Sequence, residues 1–161
     1  MSRIKLLCDA LDNQRGLTKW YLKKIPQEML AERIEANGVK LNSPLWLVSH
    51  LIWTDYSIGL FPLGFKDKQP EWLNGVGFKS SGEMPENAPN TQAILDLFDS
   101  SHQLKLDFFQ TLDEAILDEP YAVEWLGFKN NYYALLHLLR HEGVHTGGIA
   151  TFCKLKGIKT V

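Results

Sequence analysis

His141-Glu142-Gly143-Val144-His145 lies near the end of the 161-residue chain, inside a run from about Asn131 to Lys156 that closes on Gly157. Glycine placed as a C-terminal cap, with Lys154 and Lys156 at the negative end, marks that run as a helix. Each residue turns a helix by about 100°, so His141 and His145 stand about 40° apart on one face. Measured from His141, the residues Ala134, His137, Leu138, His145, Gly148, Ile149 and Phe152 fall within about 80°, while Leu136, Leu139 and Thr146 point away. Two imidazoles thus sit on a largely apolar face, which in a helical bundle turns inward. Gly147 and Gly148 leave room for close approach just beyond His145.

The rest of the chain supplies partners for this helix. Ile4, Leu7, Cys8, Leu11, Thr18, Tyr21 and Leu22 recur at helical spacing from Ser2 to about Lys24, with a loosening expected near Gly16 and a stop before Pro26. A connection follows to Asn42, with a short helical turn expected between Glu28 and Ala36 and broken by Asn37-Gly38. Ser43-Pro44 opens a second helix, hydroxyl cap before proline, which is apolar on most sides, carries His50 in its middle and ends around Gly59 to Pro62. Asn90 caps a third, with a stripe from Ile94 to about Ile116. His102 lies among polar neighbours there and is expected to face solvent. Between Phe61 and Pro89, proline and glycine punctuate a stretch carrying Trp72 and Phe78. It is too long for an ordinary connection, and serves either as a lid over a site or as cover for apolar surface. These elements predict an all-α fold, an up-down-type four-helix bundle with a long loop between helices 2 and 3, in a single domain over residues 1–161.

Composition narrows the partners. With 17 basic and 19 acidic residues scattered along the chain the net charge is -2, so neither nucleic acid nor an anionic membrane is expected as a partner. Cys8 and Cys153 form neither a disulfide framework nor a metal knuckle, which points to a reducing, cytoplasmic compartment. The first residues lack the apolar core of a signal peptide, and no apolar run is long enough to span a bilayer, so a soluble, unprocessed protein is expected.

A lone histidine on an apolar face is usually a satisfied core residue. Two at a spacing of four, with His50 on a second buried helix, favour a metal, because burying unpartnered imidazoles costs desolvation energy that a shared ion offsets. His137 extends the ladder, but it stands about 12 Å along the axis from His145, beyond what metal–nitrogen bonds of about 2.0–2.1 Å can bridge. One ion can take His137 with His141, or His141 with His145. The stretch also spells H-E-x-x-H, a metalloprotease motif. No acidic residue follows Glu142, and Thr151 stands where the extended motif needs its last histidine, so the protease reading fails at its third ligand. Glu142, about 100° round from His141, is left at the edge of the site face as a partner behind the ligands or as a solvated side chain.

The segment Ser43 to Asp55 around His50, and Leu135 to Ile149 around His141 and His145, resemble the second and fourth helices of the DinB-like (YfiT-like, damage-inducible) four-helix bundle metalloproteins. The resemblance implies that His50, His141 and His145 together hold a divalent ion, zinc, nickel or iron, and it favours His145 over His137. Gly148 departs from the glutamine common at that position in the family, so no role is carried over there. Three imidazoles leave positions open on the ion for water or a thiol. The resemblance further implies a metal-dependent thiol transferase or hydrolase acting on a small molecule, with a low-molecular-weight thiol as cosubstrate in the first case, and a homodimer. Trp72 and Phe78 are expected in the pocket loop, Glu142 and His137 behind the ligands. The competing expectation is a non-catalytic bundle in which metal binding or dimerisation is structural.

Overall fold

The computed structural model describes residues 2–160. Four long helices carry the fold: α1 (Arg3–Leu22), α2 (Pro44–Thr54), α3 (Thr91–Gln110) and α4 (Asn131–Leu155). Their ends follow local chemistry. The hydroxyl of Ser2 accepts the Lys5 N–H, that of Ser43 accepts the Trp46 N–H, and the side-chain oxygens of Asn90 and Asn130 accept from Ala93 and Tyr133. At the far end of α4, Ile158 N–H reaches the Cys153 carbonyl at 2.9 Å and Gly157, at φ 69°, reaches Lys154 at 3.2 Å. That pair of bonds is a Schellman cap.

Three expectations are corrected. Gly16 does not loosen α1, which is continuous. The third helix stops at Gln110 instead of Ile116, because Asp113 caps a separate 3-10 turn, Glu114–Asp118. Asn37-Gly38 does not break a helical turn; the helical turn lies earlier, at Gln27–Met29, and Asn37-Gly38 closes a small antiparallel hairpin, β1 (Glu35–Ala36) with β2 (Val39–Lys40). Asn37 at φ 53° and Gly38 at φ 76° both occupy the left-handed region, as the tight turn that matches strand twist requires.

The all-α bundle with its long loop stands, and the pairings give its helix directions. Lys19 meets Asp99 and Arg3 meets Glu114, so α1 and α3 are antiparallel. Leu6 and Leu7 share a groove with Tyr132 and Leu136 while Thr18 meets Thr146, so α1 and α4 are parallel. Leu47 lies against Gly148 and Gly59 against Leu138, so α2 opposes α4, whereas Asp55 with Lys105 and Gly59 with Phe109 make α2 and α3 parallel. The order is up, down, down, up, so the up-down alternation expected of the four helices is corrected: α2 and α3 run parallel. Two parallel neighbours need a connection that travels back along the bundle, which accounts for the long segment between them. α2 also runs on, through a π-helical stretch (Asp55–Leu60) and a 3-10 turn that stops at Gly64, at φ 97°.

Two apolar cores lie along the axis. One gathers Leu22, Trp46, Ile52, Val76, Phe98, Ile149 and Phe152, and the other Leu7, Leu11, Ile58, Phe109, Leu135 and Leu138. Between them each helix, or its extension, contributes one buried charge: Arg15 from α1, Asp55 beyond α2, Lys105 from α3 and Glu142 from α4.

Candidate metal centre

His50 is held on three sides. Its ring lies between Trp46, one helical turn before it (centroids 5.0 Å, planes 8° apart), and Trp53 (5.5 Å, 21°). Its Nδ1 stands 2.6 Å from the Val76 carbonyl oxygen. A carbonyl only accepts, so Nδ1 carries the proton and Nε2 keeps its lone pair free. Val76 ends a 3-10 turn (Glu71–Val76) in the long loop, and the loop is pressed so closely on α2 that a Cβ on Gly77 would lie 2.8 Å from the Trp53 ring.

α4 supplies the other two rings. Nε2 of His141 and Nε2 of His145 are 3.1 Å apart, and both rings lie about one ring-width from His50, with centroids at 5.2 and 4.9 Å. One nitrogen from each of His50, His141 and His145 falls within 4.8 Å of the others. Burial first, then the neighbouring His145, His50 and His137, pushes His141 down to about 3; burial, then His50, takes His145 to about 4. Burial lowers His50 as well, against the opposing pull of the Val76 carbonyl. All three are neutral at pH 7, the form in which imidazole binds metal. Two imidazole nitrogens on one tetrahedral zinc would be about 3.3 Å apart, close to the observed Nε2 separation. His141 Nδ1 is buried without a hydrogen-bond partner. The donor set therefore fits a divalent ion.

The remaining residues singled out by sequence lie elsewhere. His137 stays outside the cluster of nitrogens: Arg140 donates to its Nδ1 at 2.9 Å and its ring packs on Phe128. Glu142 is neither solvated nor hydrogen-bonded to a ligand ring. It is 2% exposed, and accepts from Arg15 Nε at 2.7 Å and from the Thr18 hydroxyl at 2.9 Å. The reason is rotational: the buried residues of α4, among them Leu135, Leu138, Thr146 and Ile149, centre about 80° round from His141. Glu142 thus faces the bundle axis and the histidines face its edge. Thr146, expected to point away, is buried for the same reason. Trp72 is packed in the apolar core, and Phe78 is exposed and stacked on Trp125 at 5.2 Å, so the loop touches His50 through Val76 instead. His102 is buried, not solvent-facing, with Nε2 3.1 Å from Asp12.

Sequence reasoning missed the charged layer beside the site. Arg15 binds Asp55 at 3.0 Å as well as Glu142, Lys105 reaches Asp55 at 2.5 Å, and all four side chains are almost fully buried. Burial alone would raise the Asp55 carboxyl, but Lys105 and Arg15 outweigh it and hold Asp55 below its ordinary value. A signal existed. Arg15 falls at the inward spacing of Leu11, Thr18 and Leu22, and Lys105 at that of Phe98 and Phe109.

The fold and site define a four-helix bundle whose second and fourth helices bring together three histidines that could hold a metal ion. The DinB superfamily sequence model matches residues 10–149, and the chain belongs to that family. No curated protein matches the chain.

Proposed function

We propose that this DinB superfamily member is a divalent-metal-dependent enzyme, of thiol-transferase or hydrolase type, acting on a small molecule with His50, His141 and His145 as ligands. The observation that carries the reading is the convergence of three neutral imidazole nitrogens within 4.8 Å. Zinc, nickel and iron all suit such a donor set. A bound ion would supply Lewis acidity, at positions the protein leaves open, to water or to a thiol. The chain's own part is to hold the His50 tautomer through Val76 and to exclude water with Trp46 and Trp53. Cys8 and Cys153 are buried in the two apolar cores, and burial raises both thiols, so a reacting thiol comes from outside as a low-molecular-weight cosubstrate. Among the described residues no helix is long and apolar enough to cross a membrane. A cytoplasmic homodimer completes the reading, joined through the groove where Leu6 and Ala10 of α1 meet Leu136 and Leu139 of α4.

A second reading has its own support. The Val76 bond and the tryptophan sandwich tie the long loop to the ligands, so an ion there could act as a structural staple. One preparation, purified without a nickel column, separates the readings by metal analysis, light scattering and melting. About one ion per dimeric chain is expected, falling at least about tenfold in His50→Ala and His141→Ala. Wild type without metal removes the proposal, and variants that keep it remove the triad. Metal that raises the melting temperature while no thiol or ester turnover is found supports the staple.

A further inference from the structure

Between α1 and α3 the surface opens into a furrow of about 780 Å³, with Gly16 and Trp20 on one bank, Ser100 and Gln103 on the other, and Arg15 in its lining. Towards the end of α1 it adjoins a cavity of about 260 Å³ walled by Leu22, Ile25, Leu30, Leu95 and Phe98. Phe98 is 1% exposed, and the Arg15 guanidinium lies 3.8 Å over its ring. The lining is apolar except for Lys19, Lys23, Gln27 and Asp99. Lys19 and Asp99 neutralise each other at 3.0 Å. Lys23 is exposed and makes no ion pair among the described residues, so one positive charge remains beside an apolar hollow.

Gly16 is a second observation. Glycine inside a helix costs about 1 kcal/mol against alanine. No atom lies within 4 Å of where its Cβ would be, so packing within this chain does not require it. Its absent side chain widens the furrow next to the cavity.

We propose that the cavity binds a small amphipathic monocarboxylate, its alkyl or aryl body among Leu22, Ile25, Leu30, Leu95 and Phe98 and its carboxylate on Lys23. A cation is disfavoured by Lys23. A phosphate dianion is disfavoured by Asp99 and by the single net charge. The volume lies below the roughly 300 Å³ at which drug-sized pockets begin, which fits a body on the order of eight carbons. The site is independent of the metal centre, which lies between α2 and α4.

Octanoate is the probe, titrated calorimetrically into the full metal-loaded chain, with 1-octanol and octylammonium as comparators. Saturable one-to-one octanoate binding is expected, at least about tenfold tighter than octanol, with no octylammonium binding. Lys23→Gln, a surface change, should weaken octanoate about tenfold and leave octanol unchanged. Leu95→Trp should weaken both by filling the cavity. His141→Ala should leave octanoate binding intact; its loss there would put the carboxylate on the metal and overturn the proposal. Absence of saturable octanoate binding, or equal affinity for octanol, overturns it too.

Discussion

His50 and His102 are both buried, and the atoms around each decide what it can do. His50 has a carbonyl on Nδ1, aromatic rings on both faces and a free Nε2. His102 has Asp12 on Nε2, no partner on its buried Nδ1, and Lys105 and Arg15 as charged neighbours. Its polar sequence neighbours Ser100 and Gln103 suggested an exposed ring, but the charges on its inner side belong to α1 and to the next turn of α3, which local composition does not reveal. Burial first, then Lys105 and Arg15, pushes His102 from 6.5 down to about 4, while Asp55 and Asp12 pull the other way. In the unfolded chain the ring takes up a proton near its ordinary value, and the folded chain refuses it until about pH 4. Stability from this residue is therefore complete above pH 6.5 and is lost as pH falls towards 4, by about 3 kcal/mol in all. Between pH 7.5 and 5, urea unfolding of the metal-loaded wild type should lose about 2 kcal/mol more than His102→Gln. Parallel pH profiles for the two proteins would show that His102 titrates normally.

At the level of elements, legibility follows how local the determining chemistry is. Ser43-Pro44, Asn90 and Gly157 were readable because a cap is settled by a few adjacent residues. The 3-10 turn Glu71–Val76 was not, since its short, irregular backbone has no period and is shaped by docking on α2. The same docking makes the loop part of the candidate metal centre, through a main-chain carbonyl that no side-chain motif can announce. Gly77 is where this can be probed. A methyl there would meet the rigid Trp53 ring at 2.8 Å, and the adjacent Val76 carbonyl would have to move with the backbone. Gly77→Ala should cost about 1–3 kcal/mol of stability through overpacking. It should also weaken metal binding about tenfold, as loss of a hydrogen bond behind a ligand does. Competition against a chelator measures the second effect; unchanged affinity in a destabilised protein would mean that Val76 merely packs beside His50.

For the molecule as a whole, the three candidate ligands were legible and the charged layer beside them was not. Each imidazole advertises itself by residue type and spacing, whereas Arg15, Asp55, Lys105 and Glu142 each look like one misplaced charge in an apolar stripe until the helices are brought together. The layer lies between the two apolar cores and takes one member from each helix or its extension, so a helix shifted by a turn would bury a charge opposite hydrocarbon. This makes the layer a register device, and Glu142, next to His141, joins that register to the candidate metal centre. Removing one member leaves the others unpaired: Arg15→Met should destabilise by about 3–5 kcal/mol. Replacing all four with apolar residues of similar size removes the desolvation cost as well, and stability should return to that of the wild type or above it. Register then rests on apolar packing alone, which tolerates rearrangement before it loses stability. The fourfold variant should consequently melt as high as the wild type yet bind the metal about tenfold more weakly or in more than one geometry, read from chelator competition and from the spectrum of a cobalt-substituted sample. A stable fourfold variant with wild-type metal affinity and spectrum would show that the cores set the register alone and that the buried charges have no part in placing His141.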